Sequence, residues 1–459
     1  MSEPQTVLPV REMPEVKEVR DVYGRRYRVG ESDRQLIGRS RAWMVWLGGA
    51  AMFAAGVQQY GFGVIAPVLT SAHGWTFTEV VVSLALWAVC QASVAFPAAW
   101  LRDHGKLPPA VAVTVGGVLC ATGLVTLGHA SSLTTVFLGY SVLGGIGTGL
   151  VYATCVGAVM RWFPDRTAAR VGAVSGAFAY GSVPFVLIAG FGLSIGNRAV
   201  LLDVTAAVVL VVIAGAGALL RFPPRHWWPA EPDPRAWALD KVRNRSVSAN
   251  RPAVRHYRPG ELFRCGTTLS LYLTVVLAAA VLLFDLAYLA TSVAEQGGGP
   301  GLAAVALAVL AGVTGTGRVL LGWLSDRLGR RRVLQLALVA GGIGQLVLSY
   351  SGEHHHAAGL LLGVALAGLG NGCCYTLLVG LVREYFGEES MMQNFGVLYS
   401  AKAVGAVLGV GLAAIVVTSH GYSGAFAAAA ALSLAGALLT GRLTQPGRPK
   451  SLLPAGYRG

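Results

Sequence analysis

Two cations stand where a chain can least easily keep them. Lys402 lies in "YSAKAVGAV" (399–407), inside an apolar run from Phe395 to Thr418, with no acidic residue within ten positions on either side. Arg318 lies in "VTGTGRVLLGW", inside a second such run. In lipid each would cost roughly 2.5–3.5 kcal/mol at a helix centre. One plain account is that both snorkel, since each stands a few residues from the end of its run. The other is chemical. A guanidinium offers a planar fork that matches both oxygens of a carboxylate, and an ammonium adds a compact charge. Two cations facing one cavity repel each other, and an anion between them relieves that repulsion. Tyr399, three residues before Lys402, shares its helical face. Asp285, in "LLFDLAYLA", is a candidate proton site or counter-charge.

The elements that must position these side chains are long and apolar. The chain is 54% hydrophobic and 13% charged, against about a quarter charged in ordinary soluble proteins. A membrane helix needs about 20 apolar residues. Twelve segments qualify: 43–69, 80–101, 109–128, 133–160, 169–193, 199–220, 266–292, 301–324, 333–351, 357–382, 395–418 and 424–440. The sequence therefore predicts an all-α membrane protein. Its expected divisions are a polar, disordered tail (1–42), a first six-helix bundle (43–220), a Pro- and Arg-rich central loop (221–265), a second bundle (266–440) and a C-terminal tail (441–459). Arg198 is the one Lys or Arg in the odd-to-even loops, and Arg318 and Lys402 lie inside spans. The rest collect in the tails and the even-to-odd loops. Cytoplasmic loops gather such residues, so both termini are expected inside, in the plasma membrane. This placement accounts for the net charge of +14 and removes the case for nucleic acid.

The two bundles repeat. At an offset of 223 residues "AWLRD" (99–103) falls on "GWLSD" (322–326), and "GGIGTGLVYATCVG" (144–157) on "AGLGNGCCYTLLVG" (367–380). Tyr152 and Tyr375 coincide, as do Asp103 and Asp326. At the same offset Arg318 falls on Ala95. Aligning Gly172 with Gly396 places Lys402 over Phe178. Apolar residues thus serve at both equivalent places, so the cations are additions to one half and not packing requirements. Duplicated halves with a site between them suit a secondary transporter. The glycines at four-residue spacing, Gly145 with Gly149 and Gly368 with Gly372, read as close helix packing and not as a dinucleotide fingerprint.

The loop "GWLSDRLGRRR" (322–332) carries the G-x-x-x-D-R-x-G-R-R signature of the major facilitator superfamily. "GVQQYGFGVIAPVL", "RWFPDRTAARVGAVSGAFAYG" and "QNFGVLYSAKAVGAVLG" narrow the resemblance to the oxalate:formate antiporter and monocarboxylate transporter families, over residues 43–440. The resemblance implies a substrate-binding Arg and Lys at Arg318 and Lys402, and a Gln-Tyr pair at Gln59 and Tyr60. It also implies a gating role for Asp326, with Arg327, Arg330 and the first-half Asp103. Tyr152, Tyr375 and Tyr399 complete the expected pocket, with Tyr180 a weaker candidate. The oxalate carrier has tryptophans where this chain places Asn371 and Tyr399, which points to a broader or differently shaped small organic anion.

The expected function is alternating-access transport of a small mono- or dicarboxylate, by antiport or proton symport, in a monomer. An effluxer of drugs or metabolites, using the two cations only as gates, is the rival within the class. A non-transporting sensor is the rival outside it, and lacks a signalling domain. No nucleophile–base constellation suggests an enzyme and no cofactor is implied. The six cysteines show no metal or disulfide spacing. His354, His355 and His356 read as external-loop filler.

Overall fold

Lipid offers no partners to the backbone, so a spanning segment must pair every N–H and C=O within itself. A computed structural model of the chain describes residues 16–448 and shows that solution throughout. Ten helices are long and apolar enough to cross a membrane, from Phe77–Asp103 to Met391–Gly441. A bent pair, Ala42–Tyr60 and Phe62–His73, meeting at 41°, makes eleven. The last segment is 51 residues long, or about 76 Å at 1.5 Å per residue, against a hydrocarbon core of about 30 Å. Its helix is interrupted at Gly421, where φ is 68° and ψ −176°. Glycine adopts that conformation without the steric cost other residues bear. Apolar side chains face outward as well as inward: Val200, Val204, Val208 and Val211 form an exposed stripe on the Arg198–Leu219 helix. Such a stripe suits lipid.

The two halves meet along two matched seams. The Thr167–Gly192 helix packs on the Pro300–Leu328 helix, which carries Arg318. The Phe77–Asp103 helix packs on the segment that carries Lys402. Glycines set the closeness. A Cβ on Gly172 would lie 2.7 Å from the Arg318 carbonyl oxygen, and one on Gly396 would lie 2.6 Å from the Phe96 backbone. Within each half the expected glycine ridges do the same. Gly145 and Gly149 press on the carbonyls of Trp87 and Gln91, and Gly368 on that of Leu310.

The tail departs from expectation. Residues 16–42 are folded, whereas residues 1–15 and 449–459 of the expected tails lie outside the described part. Lys17–Arg20 and Arg26–Val29 form an antiparallel hairpin, and a short helix, Asp33–Ile37, follows. The central segment folds onto it. The Arg28 N–H donates to the His226 carbonyl (2.7 Å), and the Trp228 N–H to the Arg28 carbonyl (2.9 Å). Trp227 Nε1 donates to the Glu31 carbonyl (2.9 Å), and the Tyr27 ring lies 4.6 Å from that of Trp228. The hairpin's own apolar face is small, Tyr27 and Val29 with Val19 opposite Tyr27. Together Tyr27, Trp227 and Trp228 supply a small core, and all three are buried.

Candidate functional site

Arg318 is held by three hydrogen bonds from three directions. Nε donates to the Gly372 carbonyl (2.9 Å), Nη1 to the Ser175 carbonyl (2.8 Å) and Nη2 to the Tyr60 hydroxyl (3.0 Å). Its partners come from both halves of the chain. Lys402 is held by amides of the first half: Nζ donates to Gln59 Oε1 (2.7 Å) and Gln91 Oε1 (2.8 Å). Gln91 in turn donates to the Tyr399 hydroxyl (3.0 Å). The ring of Tyr375 sits near both cations, 5.6 Å from the guanidinium carbon and 5.5 Å from Nζ. Tyr399 stacks on Tyr152 at 5.4 Å, and Phe178 packs edge-on against Tyr60 and Tyr152. Both cations are only 1% exposed, so neither snorkels to water.

Among the described residues no carboxylate lies within ion-pair distance of Arg318 or Lys402. Arg318 uses three of its five N–H groups and Lys402 two of its three. Gln59 Nε2 and the Tyr375 hydroxyl are buried without partners. The site therefore holds more donors than acceptors, and an acceptor-only anion would complete it.

Seven expected site residues thus converge: Arg318, Lys402, Gln59, Tyr60, Tyr152, Tyr375 and Tyr399. Tyr180 does not join them; its hydroxyl meets Thr316 Oγ1 (2.8 Å) at an exposed seam. Asn371 bonds Ser433 Oγ instead (3.0 Å). Gln91 went unnoticed in the sequence, although a lone amide in an apolar run carried the same signal as Gln59. Trp87, whose ring lies 5.3 Å from Lys402 Nζ, reads as ordinary core.

A sequence model of the Major Facilitator Superfamily matches residues 48–315 and again 268–459. The chain belongs to the Major Facilitator Superfamily. It is similar to the oxalate:formate antiporter of Oxalobacter formigenes, 24% identical over 85% of this chain and 88% of that one. It also resembles monocarboxylate transporter 11 of Mus musculus, 28% identical over 86% of each. A third relative is an uncharacterized 38 kDa protein in the 23S RNA operon of Thermoproteus tenax, 28% identical over 80% of this chain and 87% of that one. The expectation of a multi-pass transporter and not an enzyme holds.

In this superfamily member the expected gate residues fall into two groups. Asp103 reaches across the halves: it accepts from Arg161 Nη2 (2.8 Å) in its own half and from Gln393 Nε2 (2.8 Å) in the other. Asp326 stays within the second half and the central segment, accepting from Arg330 Nη2 (3.1 Å) and Ser246 Oγ (3.2 Å). Arg330 also pairs with Glu384. Arg327 lies exposed over the Trp323 ring at 3.8 Å. A further crossing contact is Arg383, which donates to Thr167 Oγ1 (2.7 Å) and the Pro164 carbonyl (3.1 Å). Glu388 accepts from Arg383 Nε (2.7 Å) and pairs with Arg25 of the hairpin (3.3 Å). Burial would push the Glu388 carboxyl up, but the guanidiniums of Arg383 and Arg25 outweigh it and hold it at about 2.

The halves also meet at the opposite ends of their helices. A Cβ on Gly63 would lie 2.9 Å from the Leu286 carbonyl oxygen, and the Phe77 ring meets that of Tyr288 at 5.6 Å. Among the described residues no group of three or more His, Cys, Asp or Glu is placed to hold a metal ion. His354, His355 and His356 each make a separate local contact.

Proposed function

We propose that this protein carries a small organic anion, a mono- or dicarboxylate, between Arg318 and Lys402 by alternating access. The observation that supports this most is the donor surplus of a buried site that contains two cations and no acid. The carboxylate would take the free N–H groups of Arg318, the third Nζ donor of Lys402, Gln59 Nε2 and the Tyr375 hydroxyl. Substrate then stands in for the missing counter-charge, and its binding favours closure of both sides around it. The names of the relatives, an oxalate:formate antiporter and a monocarboxylate transporter, agree with this substrate class.

In this reading Asp103, Asp326, Arg327 and Arg330 belong to the cytoplasmic gate, with Asp103 and Arg383 joining the halves. The Met391–Gly441 segment divides at Gly421 into two crossings, which gives twelve and leaves both termini in the cytoplasm of a plasma-membrane monomer. Bundles of residues 43–220 and 266–440 rock against each other, joined through 221–265. Antiport and proton symport both fit the central site. Uptake of a panel of labelled mono- and dicarboxylates into proteoliposomes, with and without internal anion, tests the reading. Saturable uptake that internal carboxylate accelerates is the expected result. Uptake of neutral or cationic compounds in preference to every carboxylate overturns it in favour of an effluxer.

A further inference from the structure

Asp285 lies ten residues before the outer end of the Gly266–Glu295 helix and is 1% exposed. Counting along their helices, Arg318 and Lys402 lie toward the inner ends, so Asp285 is a separate site, nearer the outside. Its contact is with one uncharged side chain: Gln345 Nε2 donates to Oδ1 (2.9 Å) and to Oδ2 (2.8 Å). Gln345 Oε1, also buried, has no partner.

The elements packed on this helix bring no counter-charge to Asp285. The Arg330–Glu353 helix presents Gln345, and its charged residues sit at its two ends. The Pro300–Leu328 helix carries Arg318, bound in the central site. The Met391–Gly441 segment carries Tyr399 and Lys402 in the central site, then no titratable group until His420 and Tyr422 near its break. Tyr422 donates to Thr291 Oγ1 (2.9 Å). The Ala357–Phe386 helix contributes Cys373, Cys374 and Tyr375 and, at its inner end, Arg383, Glu384 and Tyr385. The first-half helices contribute Tyr60 and His73, Glu79 at an outer cap, and the uncharged thiol Cys90. On its own helix Tyr288 donates to the Val410 carbonyl (2.8 Å). In this closed arrangement Asp285 is without a cation in ion-pair contact among the described residues.

A bare carboxylate here would be a buried charge against one amide, with the amide oxygen left unsatisfied. A neutral carboxyl solves both problems. With a turn of the Gln345 amide from its present two-oxygen contact, the carboxyl O–H would donate to Gln345 Oε1 while Nε2 donates to the other carboxyl oxygen, an acid–amide ring in which every polar atom is paired. We propose that Asp285 and Gln345 form the proton-binding site of the transport cycle, protonated when both gates are closed and taking up its proton when the outer gate opens. The proton comes from water at the outer face and adds to one Asp285 oxygen while that side is open, then leaves to water at the inner face once that side opens, with no other bond changed. The place suits the task. Leu286, the next residue, meets Gly63 across the outer seam, and Tyr288 meets Phe77 one turn on. Parting of that seam therefore moves the helix that carries the acid. This deepens the transport reading and rests on it, choosing proton coupling for that cycle.

The test compares wild type, Asp285→Asn and Asp285→Glu in proteoliposomes. Wild type is expected to accumulate labelled carboxylate when a pH gradient is imposed. Asp285→Asn is expected to lose that accumulation while still exchanging internal for external carboxylate, at a rate that no longer responds to pH. Asp285→Glu restores the gradient response in part. Gradient-driven accumulation by Asp285→Asn at the wild-type level overturns the proposal, and so does wild type that exchanges carboxylate but ignores the gradient. Absence of both exchange and gradient-driven uptake, for every carboxylate, would instead count against the substrate reading. The proton site is then decided by infrared difference spectra on a pH step. A protonated carboxyl C=O band present in wild type and missing in Asp285→Asn supports it, and identical spectra overturn it.

Discussion

A guanidinium in lipid is affordable only if its donors are met, and Arg318 meets three of them with oxygens that lysine cannot reach together. Replacement by lysine keeps the charge but frees the Gly372 and Ser175 carbonyls and removes the fork. Arg318→Lys should weaken carboxylate binding by about 1.5–3 kcal/mol, the worth of a hydrogen bond to a charged group, or roughly 10- to 150-fold. Equilibrium binding by scintillation proximity measures this, and wild-type affinity would remove Arg318 from the substrate. Lys402→Ala should abolish saturable uptake with folded protein retained, because its amide partners Gln59 and Gln91 can satisfy each other. Equal loss of folded protein would assign the lysine to packing instead. The sequence made both cations visible because a charge in an apolar run has a known cost. It gave no sign of the Ser175 and Gly372 carbonyls, since every residue carries a backbone oxygen and only the fold decides which ones face a cation.

At the scale of elements, the cap of hairpin and central segment shows how weak segments become structure by pairing. "KEVR" is short and mostly charged, and "RYRV" alternates arginine with Tyr27 and Val29 for only four residues, too brief a pattern to announce a hairpin. The tryptophans that bury it lie some two hundred residues away. Arg383 is hidden for another reason: an arginine at a helix end beside a basic loop is what the positive-inside rule alone predicts. The cap and the gate meet in Glu388. Its carboxyl falls from an ordinary 4.5 to about 2 in the fold, so it contributes stability above about pH 4.5 and loses it as pH drops toward about 2. Glu388→Gln should therefore melt at a lower temperature than wild type, by a difference that is constant above about pH 4.5 and closes below it. Thermal unfolding in detergent across that range checks the sign. A gap that widens on acidification would mean that Arg25 and Arg383 do not govern this carboxyl.

For the whole molecule, the repeat was readable because the same glycines and aspartates recur at one offset, and close packing leaves few alternatives to glycine. What the repeat conceals is which contacts hold the halves together in a given state, since those break its symmetry. Asp103 bridges the halves while its counterpart Asp326 does not. In the proposed cycle the inner latch rests on Arg383 with Thr167 and on Asp103 with Gln393, and the outer seam on Phe77 with Tyr288 and on Gly63. If the halves rock about a closed form, weakening one side alone should populate the opening on that same side at the expense of the closed, binding-competent form. Apparent affinity then falls by the fraction lost. Arg383→Ala should open the inside and Phe77→Ala the outside, each lowering substrate affinity by up to about 5-fold if about 1 kcal/mol of latch is removed. The decisive case is the double variant. Opposed biases cancel in a two-state equilibrium, so Arg383→Ala with Phe77→Ala should distribute between the inward and outward openings more evenly than either single variant. A cysteine placed at Met392, beside the inner latch, should react with impermeant thiol reagents fastest in Arg383→Ala and more slowly in the double variant. Labelling in the double variant equal to that in Arg383→Ala would mean that the two seams open independently, and the rocking description would give way to two separate gates.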